Sequence, residues 1–409
     1  MSYAPETVWE FATADVTFGT GAVEELSDIA AGHDAEHAMV ITDQGVVEAG
    51  VADQVTAALE PVDCTLFDSV EPDPDITTFE RAVEAAVDAD PDLVVGLGGG
   101  SSMDVAKTTS VVAEHGGDVL DYVAPPTGDG VPVPGPGIPT VGVPTTSGTG
   151  AETSPVTVIS LPEEDLKVGI SSRYQRPDVA LVDPALTVTL PPGPTASSGM
   201  DALCHAIEAY VTRRYDAKPA PERRADRPDY GGRSPFTDQF ARSAIERVGD
   251  NLRRAVDNGQ DLQARREMAM GSLMAGMAFT NAGVGACHAV AMAVGAIEHT
   301  PHGVTIALTL PSVIRYNASS APERYAEIAD LLGESVDGLS RDDAAEAAAE
   351  AVQKLAADVG IDGGLASLGV SESDVPHLAE RASQLERLTA GNPRRVGREE
   401  LETIIRGAL

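Results

Sequence analysis

The chain has 409 residues, 43% of them hydrophobic, which is length enough for two domains with separate cores and too apolar for a disordered chain. Its formal net charge is −36, from 64 acidic residues against 28 basic ones, only four of which are lysines. Such a balance excludes a nucleic-acid or anionic-membrane surface, because binding either needs Lys and Arg to displace counterions.

In chain order, residues 38–42 (AMVIT) read as a buried strand, and 46–60 follow with helical spacing. Residues 64–67 form a weaker strand, 77–88 a helix, and 93–97 (LVVGL) a second buried strand. A glycine triplet follows directly, then a helix over 105–113, a Pro/Gly-rich loop over 125–139 and a short strand at 140–144. Alternating strands and helices predict a parallel sheet with helices on both faces. The stretch 190–194 (LPPGP) reads as a hinge, after which the texture changes. Segments 197–213, 236–258, 262–282 and 285–297 are Ala-rich, apolar at 3- and 4-residue spacing and nearly free of strand signals. Between them, 216–234 is an irregular insertion with five basic residues, several prolines and a Gly pair.

The acidic bias fits a protein solvated for concentrated salt, where the Debye length falls to about 3 Å at 1 M; a plain acidic mesophilic enzyme is the alternative. Cys64, Cys204 and Cys287 are too few for a disulfide framework and fit a reduced compartment. With no signal peptide and no apolar run of about 18 residues, the expectation is a cytoplasmic, soluble protein.

Two loops carry phosphate-binding chemistry. Gly98-Gly99-Gly100-Ser101-Ser102-Met103-Asp104 joins the LVVGL strand to a helix, where glycines allow close approach and a helix N-terminus offers free N–H groups. A structural turn is the competing reading, and the motif is not the usual GxGxxG. The second loop, 143–153 (VPTTSGTGAET), offers the hydroxyls of Thr145, Thr146 and Thr149, or is simply a Ser/Thr turn. Lys107 and Lys167 stand out in so lysine-poor a chain.

In GMDALCHAIEAYVT, Asp201 and His205 lie four apart on a helical segment and project from one face. His288 and His302 lie fourteen residues apart around a predicted helix end. One carboxylate and three imidazoles make a nitrogen-rich site for Fe²⁺ or Zn²⁺ with a position open for substrate. His299 reads as a neighbouring polar group or a solvated loop residue.

These residues resemble the iron-containing, or group III, alcohol dehydrogenases: GGGSSMDVAK, PTTSGTGAE, GMDALCHAIEAY, and His288 with TPHG following. The resemblance implies a dehydroquinate synthase-like fold, with an α/β dinucleotide-binding domain over 1–192 and an all-helical metal and substrate domain over 193–409. It places the metal on Asp201, His205, His288 and His302, and the cofactor on Asp43, Gly99, Gly100, Ser101, Asp104, Thr145, Thr146, Thr149, Lys167 and Leu186. A carboxylate at Asp43 favours NAD over NADP, since it accepts ribose hydroxyls and repels a 2′-phosphate. Many members carry a histidine four residues after the third ligand; here Met292 stands there, so no general base is assigned.

The implied activity is reversible hydride transfer between a small alcohol and its aldehyde or ketone, by a homo-oligomer, a dimer. Several stretches, among them 121–126 (DYVAPP) and 227–238 (RPDYGGRSPFTD), look closest to the hydroxyacid–oxoacid transhydrogenase branch, whose partners are hydroxy acids such as 4-hydroxybutyrate and oxo acids such as 2-oxoglutarate. The insertion's arginines would then grip substrate carboxylates or merely form surface salt bridges. The short interval between the last two histidines is that of ordinary alcohol dehydrogenases. A lyase or cyclase on the same fold is the third reading.

Overall fold

The computed structural model describes residues 5–164, 166–224, 227–298 and 300–409, apart from the side chains of 297 and 298. By internal contacts the chain forms two compact units, Thr13–Leu190 and Met1–Ala12 together with Pro191–Leu409.

Among the described residues the first unit has eight strands: β1 (Asp15–Phe18), β2 (His37–Ile41), β3 (Asp63–Phe67), β4 (Leu93–Gly98), β5 (Thr140–Pro144), β6 (Val156–Leu161), β7 (Leu166–Ser171) and β8 (Val179–Val182). Six form one sheet in the order β1-β8-β5-β4-β2-β3, every pair parallel. β6 and β7 form a separate antiparallel hairpin. The helices are α1 (Leu26–Gly32), α2 (Gln44–Glu48), α3 (Val51–Ala58), α4 (Ile76–Ala89) and α5 (Gly100–His115).

Alternation along the central strands explains how both faces are covered. Ala38 and Val40 of β2, with Leu93, Val95 and Leu97 of β4, meet α1 and α3 through Leu26, Val51 and Val55. Met39, Ile41 and Val94 point the other way, against Phe79 of α4 and Val105 and Val112 of α5. Such strands are buried on both sides and therefore read as continuous apolar runs. The expected single helix over 46–60 is divided, because Gly50 takes a left-handed φ of 73° between α2 and α3.

The order also locates a switch point. From β2 the chain moves outward to β3, whereas from β4 it moves the opposite way to β5, so the crevice beyond the carboxyl ends of β2 and β4 is where open α/β sheets take ligands. Asp43 follows β2 there, and Gly98–Gly100 close β4 and open α5.

The second unit is helical: α6 (Pro192–Val211), α7 (Pro235–Asp257), α8 (Leu262–Ala282), α9 (Ala286–Glu298), α10 (His302–Asn317), α11 (Pro322–Leu331), α12 (Arg341–Asp358), α13 (Val375–Gln384), α14 (Glu386–Thr389) and α15 (Arg398–Ala408). Every residue of α6 from 199 to 211 is buried, as expected of a core helix rather than an amphipathic one. Its polar members Asp201, His205 and Glu208 must therefore find partners inside the protein. Two of the insertion's arginines bind the N-terminal segment: Arg224 pairs with Glu10 at 2.7 Å and Arg227 with Glu6 at 3.0 Å. Among the described residues no single helix is long and apolar enough to cross a membrane.

Candidate metal centre and dinucleotide loops

Asp201 and His205, one turn apart on α6, meet His288 from α9 and His302 from the first turn of α10. Asp201 Oδ1 lies 3.6 Å from His288 Nε2 and 3.8 Å from His302 Nε2, and Asp201 Oδ2 lies 3.8 Å from His205 Nδ1. These gaps exceed hydrogen-bond length. Two ligands each about 2.1 Å from one ion stand roughly 3.4 Å apart at a tetrahedral angle, so the spacing leaves room for one small cation. Asp201 Oδ1 and His288 Nε2 are buried and have no hydrogen-bond partner among the described residues, although they face each other. Two orphaned polar atoms aimed at a common point are what a cation would satisfy.

The charges agree. Burial opposes the charged form of Asp201, yet the imidazoles of His205, His302 and His288 hold its carboxyl well below the usual carboxylate range. Burial likewise opposes a charged His288, and it is overcome by Asp201 and Glu208, which raise its proton affinity well above that of an ordinary histidine. His205 is fixed by stacking on Phe279, with ring centroids 4.1 Å apart, and on His288 at 4.4 Å. His302 is the accessible member, its side chain 36% exposed. Its helix starts tightly against α6, where a Cβ on Gly303 would stand 2.0 Å from the Ser197 carbonyl oxygen.

Glu208 was not among the residues singled out from the sequence. Its carboxylate accepts hydrogen bonds from the N–H groups of Gly285 (2.9 Å) and Cys287 (2.8 Å), and from His288 Nδ1 (2.6 Å). One side chain thereby caps the N-terminus of α9 and fixes which ring nitrogen of His288 faces Asp201. Gly285 is required beside it, because a Cβ there would come 2.9 Å from Glu208 Oε1. The available signal was spacing: Asp201, His205 and Glu208 at i, i+4 and i+7 are the acid and imidazole groups of an otherwise apolar helical stripe. His299 lies outside the described residues. Met292 is partly buried against the helical core.

In the α/β unit the two small-residue loops adjoin. Thr145 N–H donates to Gly98 O at 2.9 Å, and a Cβ on Gly100 would lie 3.0 Å from Thr149 Cγ2. A Cβ on Gly99 would lie 3.6 Å from Thr146, and Gly98 needs its φ of +143°. Ser101 sits in the first turn of α5, a helix with no side-chain cap to compete for its free N–H groups. The glycines thus let the two loops close on one another around the free N–H groups that open α5, a cradle whose donors suit a pyrophosphate. Asp43 caps α2 through Val46 N–H (3.0 Å) and accepts from Ser102 Oγ at 3.5 Å, so its carboxylate borders the same cradle.

Four residues are placed differently. Asp104 turns inward, pairing with Lys107 Nζ at 2.6 Å and accepting from Val158 N–H at 2.9 Å. Lys107 is 1% exposed and donates to Val156 O, so it fastens α5 to the hairpin instead of reaching toward a phosphate. Lys167 pairs with Asp73 at 2.7 Å, and Leu186 packs in the core beside the sheet.

Near Lys107, burial pushes the Glu152 carboxyl up to about 7, against a weaker pull from its own backbone N–H and from Lys107. A folded pKa above the unfolded one gives a contribution that is complete below pH 4.5 and is lost as pH rises toward 7. Relative to Glu152→Gln, the wild type should therefore lose on the order of 3 kcal/mol across that interval, measured by denaturant unfolding at each pH.

Residues 13–184 match the family model for iron-containing alcohol dehydrogenase, and residues 232–409 match the model for the C-terminal part of the Fe-containing alcohol dehydrogenase family. Long-chain-alcohol dehydrogenase 1 of Geobacillus thermodenitrificans is 40% identical over 377 residues, covering 92% of this chain and 90% of that protein. The mitochondrial hydroxyacid-oxoacid transhydrogenase of Xenopus tropicalis is 34% identical over 99% of this chain and 91% of its own length. Among solved structures, a 1,3-propanediol oxidoreductase superposes with a TM-score of 0.89 at 35% identity, covering 98% of this chain and all of the other. With a helical unit that gathers one aspartate and three histidines, and a parallel-sheet unit with a glycine cradle at its switch point, the chain belongs to the iron-containing alcohol dehydrogenase family of oxidoreductases.

Proposed function

We propose that this enzyme uses one divalent metal ion, Fe²⁺ before Zn²⁺, held by Asp201, His205, His288 and His302, and NAD to interconvert a small alcohol and its aldehyde or ketone. The observation that carries the reading is the convergence of Asp201 Oδ1 and His288 Nε2, both buried and otherwise unpartnered, with His302 beside them. Held there, the ion would supply Lewis-acid polarisation of the substrate oxygen, and the nicotinamide would supply the hydride acceptor. The chain's own residues supply position. Glu208 holds His288 in one tautomer, Phe279 holds the His205 ring, and the Gly98–Gly100 and Thr145–Thr149 loops cradle the dinucleotide phosphates and ribose.

The functional division runs over residues 1–192 for the dinucleotide and 193–409 for metal and substrate, with residues 5–12 grouped with the helical unit. The enzyme works as a dimer in a cytoplasm, where its three free cysteines stay reduced, and its net charge of −36 suits concentrated salt. An alcohol panel assayed with NAD⁺ and NADP⁺ at high salt, with metal analysis of the same sample, tests the reading. No turnover of any alcohol by metal-loaded protein would overturn it.

Cofactor choice rests on Asp43, whose carboxylate beside the cradle repels a 2′-phosphate. Asp43→Gly is expected to raise the ratio of NADP to NAD kcat/KM by at least about tenfold, as removal of a like-charge contact worth several kcal/mol implies. An unchanged ratio would place the discriminating group elsewhere.

The second reading, hydroxyacid–oxoacid transhydrogenation, is favoured by the likeness over 99% of the chain to such an enzyme. It predicts hydride exchange between two acids without added NAD. The pairing of Arg224 and Arg227 with Glu10 and Glu6 commits two of the arginines that this reading would assign to substrate carboxylates, and the dehydrogenase reading is preferred.

A further inference from the structure

A second concentration of charge lies in the helical unit and shares no residue with the metal cluster. Arg214, Arg233 and Arg324 line one cavity of about 190 Å³ together with Ser234 and Asp238 at the start of α7. In a chain with 24 arginines and a net charge of −36, three guanidinium groups around one cavity call for a reason.

The local charges do not balance. Arg214 is matched by Asp216 through two bonds of 2.8 and 2.7 Å. Arg324 takes Asp238 through two bonds of 3.1 and 2.6 Å, and it is held further by the carbonyl and ring of Tyr210. Arg233 is left with an Nη1-to-Asp238 separation of 3.6 Å, beyond hydrogen-bond reach. Its Nε is buried and has no hydrogen-bond partner among the described residues. Three cations thus face two carboxylates, both already engaged. A guanidinium does not escape by losing its proton, so the cost of burying Arg233 persists until an anion answers it. Burial and the neighbouring Arg324 and Arg214 all act against its charge, although Asp238 opposes them. The N-terminal end of the 23-residue α7 adds positive potential on the same side.

We infer that this cavity binds one small oxyanion, a phosphate or a carboxylate, through Arg233 with Arg214 and Arg324 at its sides. The volume exceeds that of several waters, at about 30 Å³ each, and suits such an ion. Planar guanidiniums are the groups that grip both kinds of oxyanion through paired N–H donors. Because such an anion binds the folded chain alone, its occupancy stabilises the helical unit.

The test uses the full-length, metal-loaded protein at constant ionic strength in KCl, titrated separately with inorganic phosphate and with succinate. At about 100 times its dissociation constant, at least one of them should raise Tm by about 5 °C over the KCl control. A shift with phosphate alone identifies a phosphate or phosphate ester as the occupant, and a shift with succinate alone a carboxylate. Arg233→Gln should abolish the shift while keeping the metal content. Phosphate held by the glycine cradle survives that substitution and is subtracted. Arg214→Gln, at a side chain half exposed and safe for folding, should weaken binding about tenfold by calorimetry, the loss of one charge-assisted contact. Absence of any shift beyond the KCl control, or equal shifts in wild type and Arg233→Gln, would overturn the inference.

Discussion

Replacing His288 by alanine is expected to leave a folded protein that holds no metal and turns over no alcohol. His288 is 6% exposed and contributes the Nε2 that faces Asp201 Oδ1 at 3.6 Å, so no other group takes its place. The helical core around it is continuous, from Leu203 of α6 to Val290 of α9 and Ile306 of α10, and the loss of one polar ring does not open it. The ion's contribution as a Lewis acid is worth several kcal/mol, so kcat/KM should fall by roughly a thousandfold or more. Circular dichroism and metal analysis on one sample separate the two effects. A variant that keeps its metal, or keeps its activity without metal, would break the assignment of His288.

Replacing Glu208 by alanine is expected to damage both the fold and the metal site, by a different route. Three donors lose their acceptor at once: the N–H groups of Gly285 and Cys287, and His288 Nδ1. Each buried orphan costs about 1–3 kcal/mol, so the loss is several kcal/mol of stability and a frayed start to α9. Because that turn carries His288, metal affinity should drop by about 10- to 100-fold. Glu208→Gln keeps an acceptor oxygen but removes the charge. It should recover most of the stability while metal affinity stays reduced. If both variants bound metal as the wild type does, Glu208 would be a helix cap and nothing more. Chemical denaturation and metal titration of both variants distinguish these outcomes.

The legible parts of the sequence were those whose signal is local. Strands β2, β4 and β5 are buried on both faces and appear as apolar runs, and the helical spacing over 262–282 coincides with α8 (Leu262–Ala282). Asp201 and His205 stand out because helical spacing puts them on one face, and His288 because histidines are scarce in apolar helices; that they lie close together shows only in the fold. The illegible parts depend on distant partners. β1 and β8 are four residues each; β1 gains its status only by pairing with β8 across some 160 positions, and β8 by lying between β1 and β5. The β6–β7 hairpin follows a Ser/Thr-rich loop whose texture masks the start of a strand.

The same contrast holds for side chains. Lys107 stands out in the sequence as a rare lysine beside a phosphate loop, but its amine turns the opposite way, to Asp104 and Val156 O. Sequence position gave its neighbourhood and not its direction. Glu208 sat in plain view as the acid of GMDALCHAIEAY, yet its role depends on a histidine 80 residues away. The arginines of the 216–234 insertion divide in a way composition alone does not reveal. Arg224 and Arg227 pair with the N-terminal segment, whereas Arg233 lines a cavity.

If one cation joins four side chains from three helices, a metal titration of the stripped enzyme will count it. Protein treated with chelator and returned to anaerobic buffer should be folded and inactive. Activity should rise linearly with added Fe²⁺ and stop at about one equivalent per chain, as a single closed ligand set requires. Full activity in the stripped protein, or the same titration curve from Asp201→Asn, would contradict it.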